Sequence, residues 1–209
     1  MLAAVFGLKP KDEEVTTVCQ KQTKDQYSGS TETMMKVGPF GNLSNDKRAI
    51  TWDEKGKSKL RGIYIIHGSK IHSIRTSYVE KGSVVLSEGS NNGFEIDYSR
   101  ASDLAFDSII LYDPFEFLTS ISGTYTSKGG ICTITFGTNL RTYGPFGKPA
   151  EDYWISYSYS IKFEANEFFG FHGYSDTSNL RAIGVYVKPY AAPSTRAAPI
   201  KTEPTSPID

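Results

Sequence analysis

The tetrapeptide Gly-Pro-Phe-Gly occurs twice, at 38–41 and at 144–147, and this internal repetition constrains the fold more than any other feature of the chain. A second pattern recurs around it. Residues 71–78 (IHSIRTSY) are echoed at 118–125 (LTSISGTY) and more loosely at 180–187 (LRAIGVYV). Ile74 and Ile183 follow the two tetrapeptides at almost the same distance. Such self-similarity marks a fold built from repeated supersecondary units. The spacing of Ile74, Ile121 and Ile183 leaves room in each unit for about four strands of ordinary length with short loops. The pattern predicts three four-stranded sheets related by a pseudo-threefold axis.

The local periodicity agrees. Residues 61–66, 93–98 and 131–136 read as strands, and 154–163 sets Ser or Lys between large apolar residues, the mark of a strand with one wet face. No stretch of the folded unit carries a helical period, so the class is all-β. The 19 Gly, 13 Tyr and 12 Phe suit strands joined by many turns. The two Gly-Pro-Phe-Gly copies read as turns whose glycines take backbone angles closed to other residues, with Phe40 and Phe146 as plugs of the structure. Tyr153, Trp154, Tyr157 and Tyr159 read as core alternating with a wet face rather than as a stacking platform.

Composition divides the chain into a polar extension at 1–35, a folded unit at 36–189 and an Ala/Pro/Ser/Thr-rich tail at 190–209. The tail buries too little apolar surface to offset its ordering entropy and is expected to be mobile. A short helix is conceivable around 8–22. Lys and Arg together number 23, as do Asp and Glu, so the formal net charge is zero. Non-specific nucleic-acid binders and polybasic membrane proteins carry an excess of positive charge, so neither class is expected. No run approaches the roughly 20 apolar residues of a membrane span. The N-terminal apolar run 2–8 has no basic residue before it and is a poor secretory signal, which points to an intracellular protein. Cys19 and Cys132 form no metal-ligand spacing and are expected to be free thiols. Asn42-Leu43-Ser44 fits a glycosylation sequon, which has no consequence without secretion.

Five ordered motifs carry a resemblance: residues 37–41 (VGPFG), 121–125 (ISGTY), 134–147 (ITFGTNLRTYGPFG), 170–173 (GFHG) and 182–186 (AIGVY). In this order and spacing the chain resembles the jacalin-related lectins of plants over about 36–189. The resemblance implies a β-prism of three Greek-key sheets, in keeping with the repeat. It also implies a mannose-type, cytoplasmic or nuclear protein with no cofactor and no metal. The Gly-Phe-His-Gly pattern with the following Asp-x-Ser-x-Leu is most similar to the branch that includes a plant factor restricting virus movement.

In the family, a monosaccharide sits at one end of the prism between two loops. An early Gly-rich loop gives backbone donors, and a late Gly-x-x-x-Asp loop gives further donors and a carboxylate that accepts from two hydroxyls. Glycine allows close approach of backbone to sugar, and a carboxylate suits vicinal hydroxyls. Carried onto this chain, the early loop is Gly41-Asn42-Leu43-Ser44, lacking a second glycine, and the late loop runs from Asp176 through Ser178 and Asn179 to Arg181. Arg181 stands where the family's Asp is expected. It has five donors and no acceptor, so it cannot reproduce the carboxylate's bonds. Two readings follow. Either the late loop is a residue longer and Asp176 or Asn179 takes over with altered sugar preference, or the site no longer takes mannose and serves protein contacts or an acidic ligand matched to Arg181. The candidate carbohydrate-binding residues are therefore Gly41, Asn42, Asp176, Ser178, Asn179 and Arg181. The expected partner is a mono- or oligosaccharide of the mannose/glucose class, and the expected assembly is a homo-oligomer. The alternative is an intracellular interaction scaffold of the same fold acting in plant defence.

Evidence for catalysis is thin. His67, His72 and His172 are dispersed. His172 and Asp176 could approach across a turn near Ser175, but no nucleophile elbow accompanies them. The carboxylates Glu151, Asp152, Glu164 and Glu167 lack calcium-loop spacing. The chain is expected to be a binding protein with no catalytic residues.

Overall fold

The computed structural model describes residues 34–42, 49–55, 59–90, 103–127, 129–151, 155–163 and 167–188. These form the strands β1 (Met35–Gly41), β2 (Ile50–Asp53), β3 (Leu60–His67), β4 (Ile71–Glu80), β5 (Ser83–Leu86), β6 (Ala105–Ile110), β7 (Leu118–Thr126), β8 (Gly130–Thr138), β9 (Thr142–Gly147), β10 (Ser156–Lys162), β11 (Phe168–Ser175) and β12 (Leu180–Val187). No helix occurs among the described residues. The expected extension up to residue 33, its short helix, the tail, the 93–98 strand, Tyr153, Trp154 and Cys19 lie outside them, while Met35, assigned to the extension, already stands in β1.

The strands make three antiparallel four-stranded sheets, ordered β1-β12-β11-β2, β10-β7-β8-β9 and β5-β4-β3-β6. All three follow one Greek-key rule. A hairpin forms the centre, the third strand flanks its second member, and the fourth returns beside the first. In the first sheet the hairpin is β11–β12, while the third and fourth strands are β1 and β2. The repeat is thus cut open by the chain ends, and that sheet is closed by strands from both of them.

This topology sorts the sequence repeats. Both Gly-Pro-Phe-Gly copies fall on third strands, β1 and β9, and are true equivalents. They are edge-strand segments rather than turns. Pro39 and Pro145 donate no ladder hydrogen bond, which an edge strand tolerates, and the register shifts beside them. Gly38, Gly41, Gly144 and Gly147 take the positive φ expected of them. Phe40 and Phe146 pack against the core as the sequence suggested. The octapeptide repeat needs correction. Residues 71–78 and 180–187 are second strands, but 118–125 is a first strand, and the counterpart is β8. Both members of the β3–β4 and β7–β8 hairpins send isoleucines inward at the same period, so the pattern cannot tell them apart.

The core lies between the sheets. Ile63, Ile65 and Ile74 meet Ile121, Ile134 and Phe136, and Phe171, Ile183 and Val185, all at most 1% exposed. Phe136 and Phe171 pack edge to face with centroids 6.1 Å apart. Each such side chain contributes about 1.5–3 kcal/mol by leaving water. The outer faces differ in chemistry. The β10-β7-β8 face carries Ser156, Ser158, Ser160, Ser122, Thr124 and Thr135, so the expected wet side is present over 156–162, but of the tyrosines read as core Tyr159 is buried and Tyr157 is 44% exposed. The β5-β4-β3-β6 face instead exposes Val84, Leu86, Phe106 and Ile110, with Leu86, Ser77, Gly62 and Ile110 in one row.

A buried carboxylate fastens two sheets together. Glu54, just past β2, is 7% exposed. It accepts from Thr76 Oγ1 at 2.7 Å, from the Tyr78 hydroxyl, and from the Phe171 amide at 3.2 Å. Its own amide donates to the Phe171 carbonyl at 3.1 Å. Burial and the Glu54 charge together push the Tyr78 phenol far above its ordinary range. All three partners of the carboxylate are donors, and an apolar replacement orphans them. Glu54→Met is expected to lower stability by about 3–5 kcal/mol. Glu54→Gln should cost only about 1–2 kcal/mol, because the Thr76 hydroxyl can turn to accept from the amide. Denaturant unfolding tests both, and a Met variant as stable as the Gln variant would contradict this role.

Candidate functional site

The antiparallel hairpins β3–β4, β7–β8 and β11–β12 turn at one end of the molecule, where side chains link neighbouring sheets. Asn42 Nδ2 donates to the Ser127 carbonyl at 2.6 Å. The Gly147 amide donates to His67 Nδ1 at 3.2 Å, and Ser175 Oγ donates to the Ser90 carbonyl. His72 Nδ1 donates to the Ser178 carbonyl at 2.7 Å. Gly41 and Asn42 of the expected early loop meet the late loop here, while Leu43 and Ser44 lie outside the described residues. Pairing of β1 with β12 sets Gly41 opposite Ala182. A Cβ at Gly41 would lie 2.4 Å from the Arg181 carbonyl oxygen, and φ there is +135°, so only glycine fits. The Asn42 amide donates to that carbonyl at 2.9 Å.

The late loop spans 176–179, between the paired Ser175 and Leu180. The corresponding loops 68–70 and 127–129 are one residue shorter. The extra residue is absorbed by a turn that Asp176 organises. Its Oδ1 accepts from the Ser178 amide at 2.8 Å and the Asn179 amide at 2.7 Å, while its own amide donates to the Asn179 carbonyl at 3.0 Å. Its Oδ2 faces Arg181 Nη1 at 3.3 Å, with the side chains 14% and 10% exposed. Arg181 reaches this position over Gly130, where a Cβ would lie 2.5 Å from the Leu180 carbonyl and 3.4 Å from Arg181 Cδ.

All six sequence-predicted residues are therefore gathered at one place, but their groups are committed to one another. One Asp176 oxygen holds two loop amides and the other an arginine. A second group of residues was not assigned to the site by the sequence reading: Ser127 and Gly130 from the β7–β8 hairpin, and His72 from β4, read there only as a dispersed histidine. Assigning β8 rather than β7 as the repeat counterpart of β12 is the signal that would have brought that hairpin into view.

The histidine pairing across the turn does not form. His172 turns away from Asp176, and its ring lies over Gly184, where a Cβ would sit 2.4 Å from the ring. Its Nε2 donates to the Val37 carbonyl at 3.1 Å, beside the ladder break at Pro39. Nearby, the Tyr186 hydroxyl donates to Asp53 at 2.8 Å and Lys36 pairs with Asp53 at 2.7 Å, so one network runs over β1, β12, β11 and β2. Cys132 is buried, which pushes its thiol up.

A family model described as the jacalin-like lectin domain matches residues 37–186. Jacalin-related lectin 2 of Arabidopsis thaliana is 32% identical over 172 residues, covering 76% of this chain and 88% of its own length. Protein RESTRICTED TEV MOVEMENT 1 of the same plant is 34% identical over 165 residues, covering 74% and 87%. Among solved structures, a mannose-specific jacalin-related lectin from Morus nigra in complex with mannose is 28% identical, with a TM-score of 0.60 and coverage of 78% and 99%.

Burial, reinforced by the Lys36 charge, lowers His172 to about 4. An unfolded histidine titrates near 6.5. Between these values the unfolded chain takes up a proton that the folded chain refuses. Stability from this residue is full above about pH 6.5 and is lost as the pH falls toward 4. From pH 7 to 4.5 the loss due to His172 is expected to be about 2–3 kcal/mol. His172→Gln keeps a donor for Val37 and should flatten that slope. Denaturant melts at the two pH values read it directly, and an unchanged slope would assign the titration elsewhere.

Proposed function

The chain belongs to the jacalin-like lectin family, and on that premise we propose that it is a carbohydrate-binding protein rather than an enzyme, of the mannose/glucose class with specificity altered at the late loop. The observation that carries this reading is the meeting of the early and late loops at one sheet end, joined by the Asn42 amide on the Arg181 carbonyl. The mannose-specific Morus nigra relative supports the sugar class. Arg181 and the longer loop support the altered preference, since an arginine paired with Asp176 supplies no acceptor where the family's carboxylate would accept from sugar hydroxyls.

A second reading, an interaction scaffold without a sugar site, is favoured by the way Asp176 engages the loop amides. The similarity to RESTRICTED TEV MOVEMENT 1 supports a defence-related role for such a scaffold. A glycan array of the full chain, followed by calorimetric titration, separates the two. The lectin reading expects selective oligosaccharide signals and monosaccharide dissociation constants near millimolar, about −4 kcal/mol. No glycan bound at that concentration would leave the scaffold. Self-association belongs to the same proposal, supported by the exposed Val84, Leu86, Phe106 and Ile110 on one sheet face. Sedimentation should show a dimer or larger species at tens of micromolar, to about that order, and a strict monomer would count against it.

A further inference from the structure

The pole opposite the candidate loops carries a pair of exposed rings and the point where the chain leaves the prism. β12 runs from Leu180, beside the late loop, to Val187, which pairs with Met35 and Phe168. β6 begins at Ala105 opposite His67 and ends at Ile110 opposite Gly62, near the start of β3. The loop 111–117 therefore lies at that far pole, and its Tyr112 and Phe115 are 64% and 62% exposed. Their rings stack with centroids 5.6 Å apart and planes at 28°. We propose that residues 189–199 of this chain dock as an extended, proline-rich strand on the Tyr112–Phe115 pair, which is thus an interaction surface for proline-rich sequence.

The surface is built before anything binds it. Asn139 ties the loop to the β8–β9 turn, donating from Nδ2 to the Phe115 carbonyl at 2.9 Å and accepting from the Phe117 amide at 3.0 Å. Glu116, 1% exposed, accepts from the Tyr112 amide at 3.2 Å and the Tyr143 hydroxyl at 2.9 Å. Lys59 pairs with Asp113 at 3.0 Å. Two large rings held out into water on a fixed backbone lose little freedom on contact, which is how aromatic surfaces take polyproline segments. The chain brings such a segment to the same place. Glu167 stands just beyond the last ladder pair, Phe168 with Val187, on the side of Lys188. Burial raises its carboxyl, Lys59 and Lys188 lower it, and Asp113 adds to the rise, so Lys188 and the ring loop share one electrostatic neighbourhood. From there residues 189–209 hold Pro189, Pro193, Pro199, Pro204 and Pro207, whereas 1–33, which precedes β1 at this pole, holds only Pro10. At about 3.1 Å per residue, a polyproline helix over 189–199 extends about 34 Å, the length of a strand such as β4. The segment is too poor in apolar residues for a core of its own. Its prolines leave no backbone amide to satisfy, and the tether presents them at roughly millimolar effective concentration.

Trypsin reads the contact in the full chain, because Arg196 lies inside the docked stretch. Cleavage there is expected to be at least about fivefold slower than at the same bond in a synthetic peptide of residues 189–209, since proteolysis tracks the undocked fraction. Tyr112→Ser combined with Phe115→Ser, two exposed positions, should bring the rate within about twofold of the peptide. Should that variant fail to fold, Pro193→Ser with Pro199→Ser changes only the segment itself. Scaled to a peptide with the same substitutions, it should lose the protection as well. About hundredfold dilution should leave the natural chain's protection unchanged, as docking in cis is independent of concentration. Arg196 cut as fast in the chain as in the peptide overturns the docking. Protection that persists in a folded ring variant assigns it to another surface and overturns this one. Protection lost on dilution gives the rings to a second copy and overturns docking in cis. None of these outcomes depends on whether the loops at the other pole bind sugar.

Discussion

A carboxylate cannot stay buried unless its donors arrive together, and the relation between two of the three sheets depends on that requirement at Glu54. Thr76 and Tyr78 come from the middle of the β5-β4-β3-β6 sheet, and the Phe171 amide from the middle of the β1-β12-β11-β2 sheet. If either sheet shifted by a residue, the carboxylate would face a gap or a carbonyl. Apolar packing between faces is tolerant of small slips, whereas this contact is not. The late loop continues one of the two sheets so fixed and His72 stands on the other, so the bond from His72 to the Ser178 carbonyl inherits the accuracy of a contact at Glu54 that neither residue touches.

Much of the fold was legible because β-prism geometry writes itself in short periods. Alternation gave the strands, and the paired Gly-Pro-Phe-Gly marked two equivalent places in the repeat, although what reads as a turn is in fact an edge strand with a broken ladder. The misassigned 118–125 segment shows the limit of such patterns, since Ile121 and Ile134 both point into the core and differ only in which neighbour they pair with. Glu54 escaped notice for a related reason. A Glu after Trp52-Asp53 reads as solvated, and its donors come from residues distant in sequence.

The loops of the candidate site were legible by resemblance, and the structure brings together every residue they contributed. What the sequence could not show is how the charges resolve. Asp176 and Arg181 are visible as a departure from the family's pattern, but their contact depends on a turn in which the carboxylate first satisfies two amides of its own loop. The supporting positions, Gly130 and Ser127, lie in another sheet. Proximity across sheets is a property of the closed prism and leaves no local trace.

The closure of one sheet from both chain ends also governs the order in which the protein is made. A ribosome delivers β1 and β2 first, and their partners β11 and β12 only after everything from Asp53 to Phe168 has emerged. Until then the early strands wait with open edges, while the other two sheets, each continuous in sequence, are free to assemble. The waiting strand β1 carries Pro39 and Lys36, and β2 ends on Asp53, residues that discourage a bare strand from pairing with a neighbouring nascent chain. The last strands to leave the ribosome are the ones that admit the first into the fold, so translation must run to β12 before the candidate loops can exist as a site.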